Sequence, residues 1–281
     1  MERMHLLPQV SCQVQALRIA GPTCTIAAMR RVRMTVQYDG TAYHGWQEQR
    51  RPEGGAVGAG VRTVQGTLLE ALATILGCRV RIEGAGRTDA GVHALGQVAA
   101  FDLEREMPLA RLEAALNSRL PPDIAVADLA EAPPTFRPSA DAVSKHYRYR
   151  LWADRAKPVL EARYVWHWWR PIALGPMEEA ARHLAGRRDF ASFQSRGGER
   201  EDTVRTLLRL EVAARGREIH FDVEGDAFLY RMVRNLVGTL VEVGCGHRPP
   251  EWVAAAVEAR DRCAAGPCAP PQGLCLMAVR Y

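Results

Sequence analysis

One stretch of the chain crowds ionisable side chains onto a backbone made mostly of small residues: Gly84-Ala-Gly-Arg-Thr-Asp-Ala-Gly-Val-His-Ala94. Strand-like sequence lies on both sides, Arg79–Glu83 before it and Gly96–Phe101 after it, so it reads as a tight loop between two strands. Arg87 and Asp89 stand two residues apart on that loop, a setting that suits a presented carboxylate supported by a charge-assisted bond. An Asp in a Gly-rich loop more often caps a turn. Against that, Gly84, Gly86 and Gly91 would let a substrate approach the backbone closely. A dinucleotide fingerprint is excluded twice: Asp89 occupies the third glycine position, and the following sequence reads as strand, not helix. His93 is the residue to test as a base. With no nucleophile elbow and no His-x-x-x-His pair in the chain, it reads instead as a hydrogen-bonding loop residue, and a metal site is not indicated.

Two later stretches can reach such a loop. Ser144-Lys-His-Tyr-Arg-Tyr-Arg150 alternates as a strand. Lys145, Tyr147 and Tyr149 then share one face, and His146, Arg148 and Arg150 the other. The plain reading is a solvated basic face beside a half-buried tyrosine face. The functional one has a Tyr stacking on a base and the Arg side chains near phosphate. Asp226-Ala-Phe-Leu-Tyr-Arg-Met-Val-Arg-Asn-Leu-Val-Gly238 reads as an apolar helix with Met232, Leu236 and Leu240 as its core stripe. Arg231 and Arg234 sit three apart in its first turns, and a cation there wants a carboxylate or phosphate partner. Asp89 is a candidate partner for Arg234.

The elements that must hold these residues follow from periodicity. Val32–Tyr38 alternates as a strand, and Asp39–Arg62 is a long polar loop with Tyr43, Trp46, Arg50 and Arg51. Thr63 can cap a helix running to Leu76 and stopped by Gly77. Strands 79–83 and 96–102, a helix from Leu109 to Leu120 and a strand Ile124–Leu129 complete a β-α-β-β-α-β unit. A second unit of the same order follows: strand Val143–Trp152, helix Pro176–Leu184, a hairpin of Thr206–Ala213 and Glu218–Val223, helices Phe228–Val243 and Glu251–Ala259, and strand Leu274–Val279. The fold class is therefore α/β (α+β), two tandem split units with mostly antiparallel sheet. Residues 29–135 are expected to form one lobe and 136–281 the other. Residues 1–28 show no period and no secretory pattern. They read as an appended or mis-assigned start with Met29 as initiator; a short mobile basic arm is the open alternative.

Composition adds limits. Net charge is +5, a modest basic excess that suits a polyanionic partner. Only Lys145 and Lys157 are lysines among 37 basic residues, a bias compatible with genome composition and also with phosphate contacts. Seven cysteines without a Cys-x-x-Cys pair point to reduced thiols in the cytoplasm. No apolar run approaches the roughly 20 residues of a membrane span.

The active-loop stretch, Gly-Arg-Thr-Asp-Ala-Gly-Val-His-Ala, resembles a signature of the tRNA pseudouridine synthase A family. Five further stretches occur in that family's order: Tyr38-Asp-Gly-Thr-x-Tyr-x-Gly-Trp-Gln47, Tyr147-Arg-Tyr149, Phe190-x-Ser-Phe193, Met232-Val-Arg-Asn-x-Val-Gly238 and Gly-Leu-Cys-Leu276. The resemblance runs from Arg31 to the C-terminus. It implies that Asp89 is the catalytic aspartate, Tyr147 the tyrosine against the target base and Arg234 the basic partner of Asp89. It implies that Arg87 helps displace the uridine. A homodimer without metal or cofactor is implied too, isomerising uridines 38–40 of the tRNA anticodon arm, on a two-lobed fold with a central sheet and a basic cleft. Cys275 stands where the family commonly has an aromatic, and position 275 is expected near the aspartate.

Two rival readings use the same residues. A non-catalytic RNA-binding module would want aromatic-rich ribonucleoprotein strands, which are absent, and leaves Asp89 unexplained. A glycoside or nucleoside hydrolase would want a second carboxylate, for which Glu83 or Asp102 is near in sequence.

Overall fold

The computed structural model describes residues 29–48, 61–197 and 201–281. The N-terminal 28 residues and the arginines at 50 and 51 lie outside the described residues. Among the described residues the strands are β1 (Arg30–Tyr38), β2 (Glu83–Gly84), β3 (His93–Leu103), β4 (Ile124–Ala132), β5 (Ser144–Trp152), β6 (Trp166–His167), β7 (Gly186–Asp189), β8 (Val204–Arg215), β9 (Glu218–Gly225) and β10 (Leu274–Arg280). They form one sheet in the order β4-β1-β3-β10-β5-β9-β8-β7, with β2 beside β3 and β6 beside β5. Both β-α-β-β-α-β units thus feed a single sheet. The last strand of the chain closes the seam, pairing parallel to β3 at His93–Ala94 and antiparallel along β5.

The α-helices among the described residues are α1 (Val64–Leu76), α2 (Leu109–Arg119), α3 (Leu174–Arg182), α4 (Met232–Gly244) and α5 (Trp252–Ala259). α1 begins and ends where its sequence says. The Thr63 hydroxyl accepts from the Gly66 N–H, and Gly77 takes the left-handed conformation at φ 76°. Leu68 and Leu72 of α1, Leu112 and Leu116 of α2, and Leu236 and Leu240 of α4 join Val32, Met34, Phe101, Tyr149 and Phe221 of the sheet in one core. Burying a Leu or Phe side chain contributes about 2 kcal/mol or more each, so this shared core ties the two halves together. No helix among the described residues is long and apolar enough to cross a membrane.

Two expected elements differ. The strand anticipated over 79–83 shrinks to Glu83–Gly84, which pairs antiparallel with Ala99 and Ala100 of β3. The helix anticipated from Phe228 begins only at Met232, because Arg231 adopts φ 58°, a left-handed conformation that breaks the helical run before it. Hydrophobic periodicity does not register a single left-handed residue.

The sheet face opposite the helices is polar. There Arg148 forks onto Asp222 at 3.0 and 3.2 Å, His146 Nε2 lies 2.6 Å from the same carboxylate, and Arg150 forks onto Glu218 at 2.8 and 2.6 Å. Burial alone would raise the Asp222 carboxyl, but the bonds from Arg148 and His146 outweigh it and hold it below its usual range. Glu218 is lowered chiefly by the Arg150 bond. Depressed carboxylates stabilise the fold above their unfolded values, near pH 4, and lose that contribution as pH falls through their folded values. The urea midpoint should therefore fall steeply below about pH 4. The Asp222→Asn protein should begin less stable at neutral pH and show a shallower acid decline; an unaltered slope would mean Asp222 does not couple to folding.

Candidate active site

The Gly84–Ala94 loop is cradled by the segment after β1. Trp46 N–H donates to the Thr88 carbonyl at 3.1 Å, Gly91 N–H to the Tyr43 carbonyl at 3.2 Å, and the Tyr38 and Thr88 hydroxyls are 2.8 Å apart. Gly45 is required by this contact: it has φ +90°, and a Cβ there would lie 2.5 Å from the Thr88 carbonyl oxygen. Gln97 of β3 pins the other side, donating to the Gly86 carbonyl at 2.7 Å. Sequence reading singled out Tyr43 and Trp46 only as loop aromatics. Both are buried and act as the floor of the loop. Their place in the Tyr38–Gln47 stretch was the available signal.

The glycines of the loop serve the protein more than a ligand. A Cβ on Gly84 would meet the Trp46 indole at 2.6 Å, and Gly91 has φ +77° against Pro271. The expectation that both leave room for substrate is corrected accordingly. At Gly86 a Cβ would find its nearest neighbour, Lys145 Nζ, at 3.6 Å, so this glycine alone of the three would accept a Cβ in ordinary contact.

Asp89 is brought together with Arg234 as anticipated. Arg234 Nη1 donates to Asp89 Oδ2 at 2.7 Å, and its Nε donates to the Ala269 carbonyl at 2.7 Å. The Arg234 side chain is 11% exposed and that of Asp89 18%. Behind Arg234 lies α4, buried along every residue but Glu242. Asn235 holds this helix to the Phe190–Phe193 stretch by donating to the Phe193 carbonyl at 2.7 Å. The pair therefore joins a loop of the first half to a rigid helix of the second.

Tyr147 completes the group from β5. Its ring is buried, edge-on to Phe228 at 5.1 Å. Burial, followed by the negative charge of Asp89, raises its hydroxyl well above the ordinary tyrosine range, so it stays protonated. Tyr149 lies deeper and donates to the Pro270 carbonyl at 2.8 Å. Arg87 is exposed, and among the described residues no hydrogen bond or ion pair holds its side chain.

Other candidates lie elsewhere. Arg148 and Arg150 are engaged with Asp222 and Glu218, on the face of β5 opposite Tyr147. Glu83 and Asp102, the hydrolase candidates, are both held by Arg31 at 3.0 and 3.2 Å. His93 accepts from Gly40 N–H at Nδ1 and meets the Arg163 carbonyl at Nε2, both at 3.0 Å. Burial lowers its pKa despite the neighbouring Asp39; it is a structural hydrogen-bonder. Cys275 pairs with Arg148 across the β10–β5 ladder and lines a cavity of about 720 Å³ on the helix-free face. Leu276, not Cys275, is the β10 residue opposite Tyr147. The expectation that position 275 packs around the aspartate is therefore corrected, because strand alternation turns its thiol away. Burial raises that thiol to about 11.

A mixed α/β sheet carries one loop carboxylate, clamped by an arginine of a buried helix and backed by a buried tyrosine, and the fold is that of the pseudouridine-synthase class. The tRNA pseudouridine synthase family matches residues 34–138 and 180–281. The chain is 46% identical over 253 residues to tRNA pseudouridine synthase A of Geobacter sulfurreducens, covering 90% of this chain and 100% of that one. It is 42% identical over 253 residues to the enzyme of that name from Geotalea daltonii, with the same coverage. Against that from Myxococcus xanthus it is 44% identical over 254 residues, covering 90% and 92%. The chain belongs to the tRNA pseudouridine synthase family: it is an isomerase that converts uridine to pseudouridine.

Proposed function

We propose that this enzyme isomerises uridines 38–40 in the anticodon stem-loop of tRNA, with Asp89 as nucleophile on a uridine flipped out of the RNA stack. The observation that carries the reading is the 2.7 Å Arg234–Asp89 ion pair, which fixes a single carboxylate beside the Tyr147 ring. The isomerisation breaks C1′–N1 and makes C1′–C5, with no atom gained or lost. A carboxylate can add to C1′, as in a retaining glycosidase, releasing uracil as an anion. The caged base turns and its C5 attacks C1′, breaking the C1′–O bond and freeing the Asp89 carboxylate; the C5 proton then leaves and N1 takes one up. Addition of the carboxylate at C6 of the base, or a glycal intermediate, also uses one aspartate. Tyr147 is well placed as the wall against which the base packs. We read residues 29–135 and 136–281 as two lobes meeting at the β3–β10 seam, and the enzyme as a cytoplasmic homodimer that works without metal or cofactor.

Flipping the uridine costs a few kcal/mol, and the vacated stack must be filled. Arg87 is exposed two residues from Asp89 and is assigned that task. Arg87→Ala should lower the single-turnover rate by on the order of 10²-fold with an unchanged melting temperature. An unchanged single-turnover rate would remove the flipping role.

The position and chemistry are tested together with tRNA carrying C5-tritiated uridine. The expected result is tritium release with the base retained, and pseudouridine mapped to positions 38–40. Pseudouridine only outside the anticodon arm would overturn the site assignment, and free uracil would point to hydrolysis.

A further inference from the structure

We propose that Arg231 is a substrate-binding residue that exchanges Asp89 for a backbone phosphate of the RNA when the target nucleotide enters. The inference deepens the proposed function and rests on Asp89 being the acid presented to that nucleotide. On an unbroken helix Arg231 and Arg234 would share one face and one environment. The left-handed turn at Arg231, φ 58°, separates them instead. Such a conformation is strained for a non-glycine residue and recurs at active sites and ligand clamps.

The two arginines consequently hold the same carboxylate oxygen in different ways. Arg234 donates to Asp89 Oδ2 at 2.7 Å, is anchored a second time on Ala269 and is nearly buried. Arg231 Nε stands 3.9 Å from that oxygen, beyond hydrogen-bond reach, and its side chain is 41% exposed. Among the described residues its guanidinium makes no hydrogen bond. Its Cζ lies over the half-exposed Tyr230 ring, 4.8 Å from the centroid. Two cations around one carboxylate leave an excess positive charge. Arg234 suffices to neutralise Asp89, so the loosely held, donor-rich Arg231 is the group free to take an anion. In a uridine-modifying enzyme the anion that arrives with the reacting base is its own phosphate, and a planar fork suits it. Moving Arg231 onto that phosphate also withdraws one cation from Asp89, leaving its oxygen more available as substrate binds.

The test measures equilibrium binding of an anticodon-arm RNA to Asp89→Asn and to Asp89→Asn/Arg231→Gln between about 50 and 300 mM KCl. Loss of one phosphate contact should weaken binding roughly tenfold at the low end. It should also make the log–log salt dependence shallower by about 0.7–0.9. An unchanged slope would overturn the proposal. In the otherwise native enzyme, Arg231→Gln should raise KM more than it lowers kcat, and Arg231→Lys should restore the salt slope. A fall in kcat alone would mean that Arg231 acts only on Asp89. Failure of the underlying reading is seen separately, as turnover by the Asp89→Asn protein.

Discussion

Asp89→Asn is expected to reduce isomerisation by on the order of 10³-fold or more while tRNA binding survives. The amide is nearly isosteric, so the loop keeps its cradle of Tyr38, Tyr43 and Trp46 bonds. What disappears is the negative charge and the lone-pair nucleophile at the end of the 2.7 Å Arg234 bond. Binding is expected to rest mainly on arginine contacts to phosphate and on RNA shape, none of which needs Asp89. Removing a carboxylate from an anionic ligand's site should tighten binding slightly. Single-turnover tritium release and filter binding on the same protein separate the two effects. Normal release would eliminate Asp89 as nucleophile, and lost binding with an unfolded circular dichroism spectrum would leave the matter to Asp89→Glu. That variant keeps the charge but moves it by about one methylene; it is expected to bind RNA and react far more slowly.

Arg234→Ala should be damaging on two counts at once. Asp89 would be left largely buried with Arg231 3.9 Å away as its remaining cation, and the Ala269 carbonyl would lose its donor. A surface pair contributes about 1 kcal/mol or less, and breaking a fully buried one costs about 3–5. With side chains 11% and 18% exposed, this pair falls near the buried end, so a loss of about 2–4 kcal/mol is expected. Activity should fall by on the order of 10²-fold or more, because the carboxylate is no longer aimed. Arg234→Lys tells the effects apart. A lysine retains the charge but cannot serve both Ala269 and Asp89 as the fork does. It should recover most of the stability, measured by urea unfolding, and only part of the rate. If both variants were as stable and active as the parent enzyme, the pair would have no part in the site.

How the chain divides its information between sequence and tertiary structure is plain at these same residues. The loop, its presented Asp89, the Thr63 cap, the Gly77 stop and the alternation of β5 are all local properties. Capping, left-handed glycine and two-residue periodicity act within a few positions, so they can be read along the chain. The split of β5 into a tyrosine face and a basic face is legible for the same reason. Even the pairing of Arg234 with Asp89 was anticipated, since a cation in an apolar helix needs a partner, though its distance was not.

Other features were settled only by long-range packing. Whether Arg148 and Arg150 meet RNA or carboxylates depends on β9 placing Asp222 and Glu218 opposite them. That β10 returns to lie between β3 and β5, fusing two units into one sheet and turning Cys275 away from Asp89, is a matter of strand order, which no local period encodes. The left-handed Arg231 is likewise invisible in composition, because any residue can be forced there when the surrounding fold over-determines it. The sequence by itself determined that one carboxylate, Asp89, stands on a tight glycine-rich loop between two strands. The tertiary structure decided which of two neighbouring arginines is buried to hold it and which is left exposed beside it, because desolvation and backbone strain are set by the whole fold rather than by spacing along the chain.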